Sequence, residues 1–202
     1  ARGGMGIIYK ARQLDLDRVV ALKTLRQEEL GKPDAAARFR GEAQAVARLR
    51  HPHIVAVHEV GSFDGIEYFT TEMVEGLPLD RRILREPLLT PRQAVEVVLP
   101  IAEALEYAHS KGVVHRDLKP ANIIIDSEGM PFLVDWGIAK RVDPDDGSGK
   151  KGLVPDEEED LLGSIPYMAP EYVEGSAYDE LCDLYSLGVV LYEVLGGPNC
   201  LP

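Results

Sequence analysis

Residues 113–126 read Val-Val-His-Arg-Asp-Leu-Lys-Pro-Ala-Asn-Ile-Ile-Ile-Asp, and no other stretch of the chain constrains its fold as tightly. A short apolar run enters the segment and another leaves it. Between them lie His115, Arg116, Asp117, Lys119 and Asn122, with Asp117 and Asn122 five positions apart. Asp117 and Lys119 are candidate handlers of a proton or a phosphate, and Asn122 adds an amide. A surface loop with chance polar residues would have no reason to be framed by two apolar runs.

Other segments belong with this one. Leu133-Val134-Asp135-Trp136-Gly137 places a second acid on a tight turn after an apolar run. Alone it is a weak signal, because Asp and Gly are ordinary turn residues. Upstream, Val20-Ala21-Leu22-Lys23 sets a lysine in an apolar strand, where it would normally face solvent. Residues 35–50 carry Phe39, Ala43, Val46 and Leu49 near three- and four-residue spacing, an amphipathic helix pattern with Glu42 beside its apolar stripe. Glu28 and Glu29 are nearer Lys23 in sequence but fall in the connector. The chain opens Ala1-Arg2-Gly3-Gly4-Met5-Gly6-Ile7-Ile8-Tyr9. Glycines let backbone N–H groups approach phosphates with no side chain in the way. No Gly-Lys-Ser/Thr follows, which argues against a Walker-type loop. The glycines lead into a β-branched segment rather than a helix, which disfavours a dinucleotide fold. Near the end come Gly163-Ser164-Ile165-Pro166-Tyr167-Met168-Ala169-Pro170-Glu171 and Asp183-Leu184-Tyr185-Ser186-Leu187-Gly188. A helix is expected from the second, with Leu184, Leu187, Leu191 and Val194 on one face.

These ordered segments resemble the eukaryotic-like serine/threonine protein kinases, most closely their bacterial members. Residues 115–122 match the catalytic loop H-R-D-L-x-x-x-N. Residues 135–137 match D-F-G with tryptophan in place of phenylalanine, 20–23 match V-A-I-K, and 169–171 match A-P-E. The glycine loop aligns on Gly3 and Gly6, with Ala1 at the first glycine and Ile8 at the valine. The string Gly3-Gly4-Met5-Gly6 with Tyr9-Lys10-Ala11, and Lys119-Pro120-Ala121 before Asn122, carry the bacterial flavour.

The resemblance implies an α+β bilobal fold, with residues 1–75 as a β-rich lobe and 76–202 as a helical lobe. It implies ATP and magnesium as cofactors and protein serines or threonines as substrates. Asp117 would accept the hydroxyl proton, Lys119 would contact the transferred phosphoryl group, and Ser164 would lie near Asp117. Lys23, paired with Glu42, would hold the α- and β-phosphates, while Asn122 and Asp135 would hold magnesium. Gly3, Gly4 and Gly6 would cover the phosphates. Ile8, Ala21 and Ile124 would enclose the adenine, which would sit on the segment Thr71, Glu72, Met73 and Val74, with Thr71 as a small gatekeeper. Asp183 would hold the catalytic-loop backbone. Arg116 would read a charge on the following loop, where Asp156, Glu157, Glu158, Glu159 and Asp160 could stand in for a phosphate and Ser148 is the one hydroxyl side chain in residues 138–163. Pairing between two kinase copies is an open possibility.

Composition agrees. The net charge of −12 argues against nucleic acid or an anionic membrane as a main partner. No apolar run approaches the ~20 residues that span a bilayer. Cys182 and Cys200 lack metal spacing and suit a reducing, cytoplasmic setting, and His115 is expected to be packed rather than catalytic. Strands are expected over 7–12, 18–25, 54–60 and 66–72, and a long stripe of Val95, Val98, Leu99, Ala102, Leu105 and Ala108 should lead into the catalytic loop. The chain opens inside the glycine loop and stops soon after the helix that follows Asp183, so it is expected to be part of a longer protein. A non-catalytic nucleotide-binding scaffold is the alternative reading. It would be expected to lack Lys23, Asp117, Asn122 or Asp135, and all four are present. A small-molecule phosphotransferase would be expected to lack the A-P-E segment.

Overall fold

The computed structural model describes residues 6–29, 35–85, 88–136, 163–173, 179–197 and 200–201. Gly3, Gly4, Gly137, Ser148 and the acidic stretch 156–160 lie outside the described residues.

The first part of the chain builds a four-stranded antiparallel sheet in the order β1-β2-β4-β3, from β1 (Gly6–Gln13), β2 (Arg18–Leu25), β3 (Val57–Phe63) and β4 (Ile66–Glu72). Its register decides the later chemistry. Lys23 lies opposite Ile8 on one side and Phe69 on the other, and Ala21 lies opposite Thr71. Directly opposed residues share a face, and the side-chain period is two. Ala21, Lys23, Ile8, Phe69 and Thr71 therefore project to the same side.

One helix, α1 (Ala35–Val46), covers that sheet. Phe39 and Ala43 are fully buried and pack with Leu25 and Phe69, the two phenyl rings lying 5.1 Å apart. Burying one such side chain is worth about 1.5–3 kcal/mol. The amphipathic pattern of 35–50 overestimated the helix, which ends at Val46. Leu49 is buried, but in the larger core below. The third strand also starts later than expected, at Val57 rather than residue 54. Residues 53–55 bond instead to the other half of the molecule. Leu133 N–H donates to His53 O (2.8 Å) and Val55 N–H donates to Leu133 O (3.2 Å).

From Gly76 onward the architecture changes. β5 (Gly76–Pro78), β6 (Ile123–Asp126) and β7 (Pro131–Leu133) form a small antiparallel sheet. Around it lie α2 (Leu79–Ile83), α3 (Pro91–Ser110), α4 (Pro170–Val173) and α5 (Leu181–Gly196). Thr90 caps α3 through a reciprocal bond with Gln93, and Pro91 occupies the first turn, where its missing N–H costs nothing. The helix ends where Gly112 takes φ +72, and Val113 N–H closes onto Ala108 O at 3.0 Å. That stop aims the chain into residues 113–122.

The buried faces of both long helices match the expected ones in part: Leu105, Ala108, Leu187 and Val194 are buried, and the rest of each face is rotated. On α3 the core face is Ala94, Val97, Ile101, Ala104, Leu105 and Ala108, whereas Val95 and Leu99 are exposed. On α5 it is Asp183, Ser186, Leu187, Val190 and Val194, with Leu184 exposed. Both helices carry apolar residues on more than one side, so periodicity alone allowed more than one face. Among the described residues, no helix is long and apolar enough to cross a membrane.

Candidate functional site

The two parts of the chain enclose a cleft. Ile8, Ala21 and Lys23 roof it, Ile124 and Asp135 floor it, and Thr71, Glu72, Met73 and Val74 close its back. The lining also includes residues that sequence reasoning missed: Val46, Val57, Phe69, Pro78, Ala121 and Leu133. Two of them could have been found. Val46 lies one helical turn beyond Glu42, and Phe69 lies two positions before Thr71 on the same strand face. Gly6 lies against the backbone beside Lys23, where there is no room for a side chain. A Cβ there would meet Thr24 O at 2.9 Å and the Lys23 stem at 3.2 Å.

Lys23 is the centre of the charged cluster. Its Nζ donates to Glu42 Oε1 at 3.0 Å and to Asp135 Oδ1 at 3.1 Å. Glu42 is buried, and so is most of Lys23. Burial alone would lower the Lys23 ammonium, but the two carboxylates outweigh it and hold that group well above its usual range. Burial raises the Glu42 carboxyl above its usual range, and Lys23 opposes that rise. Asp135 itself sits at φ +53, an unfavourable conformation for a residue with a side chain, on the turn that leaves β7.

A second cluster lies beside the first. Lys119 Nζ donates to Ser164 Oγ at 2.8 Å and lies 3.3 Å from Asp117 Oδ2. Asn122 Nδ2 donates to Asp117 O at 2.8 Å and to Asp117 Oδ2 at 3.1 Å. The Asn122 amide nitrogen is thus spent on Asp117, which leaves Oδ1 as its acceptor side. Lys119 and Ser164 are 45 positions apart, so the chain must return to residues 115–122 for them to meet.

His115 is fully buried and holds this cluster from beneath. Asp117 N–H donates to His115 Nδ1 (3.3 Å), so Nε2 carries the proton and donates to Val134 O (3.2 Å). Burial lowers this imidazole below its ordinary range, against the pull of Asp183 and Asp117. The Trp136 ring packs on it at 4.8 Å between centroids. Trp136 is buried in the main core, and among the described residues its Nε1 has no hydrogen-bond partner.

The backbone of residues 115–116 is fixed by Asp183. This residue is fully buried, and its carboxylate accepts from His115 N–H (2.8 Å), Arg116 N–H (2.8 Å) and His109 Nε2 (2.7 Å). Burial would raise its carboxyl, but these donors together hold it below the usual range. His109 was not singled out by sequence reasoning, and nothing in its local pattern marks it.

The structure therefore brings Lys23, Glu42 and Asp135 into one cluster and Asp117, Lys119, Asn122 and Ser164 into an adjoining one. It leaves Gly3 and Gly4 undescribed.

Comparison with known proteins gives the same picture. The crystal structure of the Mycobacterium tuberculosis PknI kinase domain superposes with a TM-score of 0.73 at 28% identity, over 98% of this chain and 72% of that one. The serine/threonine-protein kinase PknB of Mycobacterium tuberculosis is 39% identical over 199 residues, covering 96% of this chain and 31% of the relative. PrkC of Bacillus subtilis is 37% identical over 195 residues, covering 96% and 29%. A probable serine/threonine-protein kinase of Clostridium perfringens is 40% identical over 195 residues, covering 96% and 27%. The chain thus spans under a third of the length of these curated relatives. The family described as "Protein kinase domain" matches residues 1–202. With the cleft, its two charged clusters and these likenesses in agreement, the chain belongs to the protein kinase domain family.

Proposed function

We propose that the protein transfers the γ-phosphoryl group of ATP to serine or threonine hydroxyls of protein substrates. The observation that carries this reading is that Lys23, Glu42 and Asp135 line the cleft while Asp117, Lys119, Asn122 and Ser164 adjoin them, joined where Val134 N–H donates to Asn122 O at 3.0 Å. Residues 1–75 and 76–202 act as the two lobes that enclose it.

Adenine fits the hinge-side end of the cleft. Glu72 N–H is already bonded to Ala56 O, but among the described residues no hydrogen bond engages the Val74 backbone, so its N–H and C=O can meet a base edge. Thr71 is small enough to leave the space beside it open. Lys23, fixed by Glu42, presents a permanent positive charge to the phosphates. The Asp135 carboxylate and the Asn122 amide oxygen suit a hard, oxygen-seeking cation and would hold magnesium, which supplies charge neutralisation at the phosphates when bound. Asp117 positions the substrate hydroxyl and takes its proton, with its carboxylate oriented by Asn122. Lys119 offsets charge on the transferred group, and Ser164 holds Lys119 in place. Most of the rate enhancement is placement and electrostatics. The named relatives, PknB and PrkC, carry serine/threonine kinase in their names, which supports serine and threonine as acceptors.

The test is transfer from γ-labelled ATP to a generic protein substrate. The expected result is magnesium-dependent label on serine and threonine, lost in Asp117→Asn. Label that persists in Asp117→Asn, or none from the unaltered protein, would remove the reading.

A further inference from the structure

We propose that Pro78 sets the sugar selectivity of the cleft, so that the protein uses 2′-deoxy-ATP nearly as well as ATP. The inference rests on the kinase reading above and goes beyond it.

Polar groups at opposite ends of the cleft fix the two ends of a bound nucleotide. The base meets the backbone at Val74, and the phosphates meet Lys23 and Asp135. The sugar bridges the interval, where the lining is Ile8 above and Pro78, Ala121 and Ile124 below. The strand register puts Pro78 there. It ends β5 and stands directly opposite Ile124 on β6, and directly opposed residues share a face. None of these four side chains carries a hydrogen-bonding group, and proline also lacks a backbone N–H. The neighbouring polar side chains are directed elsewhere. Glu75 gives its carboxylate to Lys10 at 3.0 Å, and neither Glu75 nor Asp80 lines the cleft. Asn122, next to Ala121, donates its amide to Asp117.

The connectivity of ribose says which hydroxyl is left unread. C2′ adjoins the carbon that carries the base, whereas C3′ lies nearer the carbon that carries the phosphates. The 2′-hydroxyl therefore lies toward the hinge end, over Pro78 and Ile124, and the 3′-hydroxyl lies toward Ala121. A hydroxyl over two apolar side chains keeps its hydrogen bonds to water. Its removal costs the complex no bond to the protein.

Steady-state phosphotransfer with ATP and with 2′-deoxy-ATP, both with magnesium, reads this directly. A single neutral hydrogen bond shifts an equilibrium by about two- to tenfold, so a protein that makes none to the 2′-hydroxyl should give kcat/KM values within about threefold of each other. Pro78→Glu places a carboxylate under the sugar. A hydrogen bond to a charged group is stronger, so the preference for ATP should rise about fivefold or more. The ratio cancels any repulsion between the new carboxylate and the phosphates, because both nucleotides meet it. Pro78 makes no side-chain cap to α2, so its replacement removes no bond. Should Pro78→Glu fail to fold cooperatively, Pro78→Gln should move the ratio in the same direction by about twofold or more. A larger preference for ATP in the unaltered protein would overturn the proposal, and so would a ratio that does not rise in the folded variant. Absence of transfer from either nucleotide in the unaltered protein would refute the proposed function instead. The melting-temperature rises given by equal concentrations of the two nucleotides would then decide the sugar selectivity. Equal rises would support it, and a greater rise with ATP would overturn it.

Discussion

Replacing Lys23 by methionine should destabilise the protein in a way that depends on pH. The Glu42 carboxylate, 5% exposed, would lose its cation. Asp135 would lose the same partner but is more exposed, at 31%, and can turn toward water. Breaking one side of a buried ion pair costs about 3–5 kcal/mol. At about 2–4 °C per kcal/mol for a chain of this size, the melting temperature near pH 7.5 should fall by roughly 6–20 °C. The pH dependence follows from Glu42. Burial already pushes its carboxyl up, and Lys23 opposes that push. Removing Lys23 lets the native-state value rise further above that of the unfolded chain. The native state then binds more protons than the unfolded state, so stability is present at low pH and lost as pH rises through the native value. With a coupling of at most about 1.4 kcal/mol per pH unit, the deficit should shrink by roughly 2 kcal/mol between pH 7.5 and 5.5. Replacing both partners, Lys23→Met with Glu42→Leu, should restore stability to within about 1.5 kcal/mol, because no charge is left stranded. Calorimetric melts of the three proteins at the two pH values check this. A deficit equal at both pH values, or no recovery in the double variant, would refute the reasoning.

Three further outcomes are expected. His115 is buried with its imidazole held below the usual 6.5, so it resists protonation in the native state. Its contribution to stability should be full above that value and decline as pH falls below it; denaturant titrations should show the decline, and His115→Gln should flatten it. Trp136→Phe removes a buried N–H that has no partner among the described residues, a gain of about 1–3 kcal/mol, and also loses packing against His115. The two should nearly cancel, leaving stability within about 1 kcal/mol of the unaltered protein, whereas Phe39→Ala in the fully buried site under α1 should cost about 3–5 kcal/mol. Gly76→Ala would drive a Cβ into Ile125 O, a backbone atom that cannot swing away, where the cleft's back wall enters the small sheet. It should lower the melting temperature measurably and raise KM for ATP in steady-state assays.

How much of this was legible beforehand depends on the kind of signal. The contact of Lys23 with Glu42 was readable only through the resemblance to kinases, because a lysine in an apolar strand would by its pattern alone face solvent; the helix pattern of 35–50 then singled out Glu42 over Glu28 and Glu29. The cluster of Asp117, Lys119 and Asn122 was readable because one short loop carries all three. The buried faces of α3 and α5 were legible only in part, through Leu105, Ala108, Leu187 and Val194. Their apolar residues surround the axis, and tertiary packing chose Ala94–Val97–Ile101 over Val95–Leu99. The start of β3 was misplaced because residues 53–55 look like strand and pair with Leu133, a partner no local pattern names. His109 was missed for the same reason. Its bond to Asp183 spans 74 positions.

The central claim is that two adjoining clusters divide the labour of phosphoryl transfer. The most direct measurement takes ATP affinity and turnover on the same two variants, Asp117→Asn and Asp135→Asn. The account predicts that Asp117→Asn binds magnesium-ATP normally while kcat falls roughly a hundredfold or more. It predicts that Asp135→Asn loses the magnesium dependence of ATP binding. Undiminished turnover in Asp117→Asn, or unchanged magnesium-dependent binding in Asp135→Asn, would contradict it.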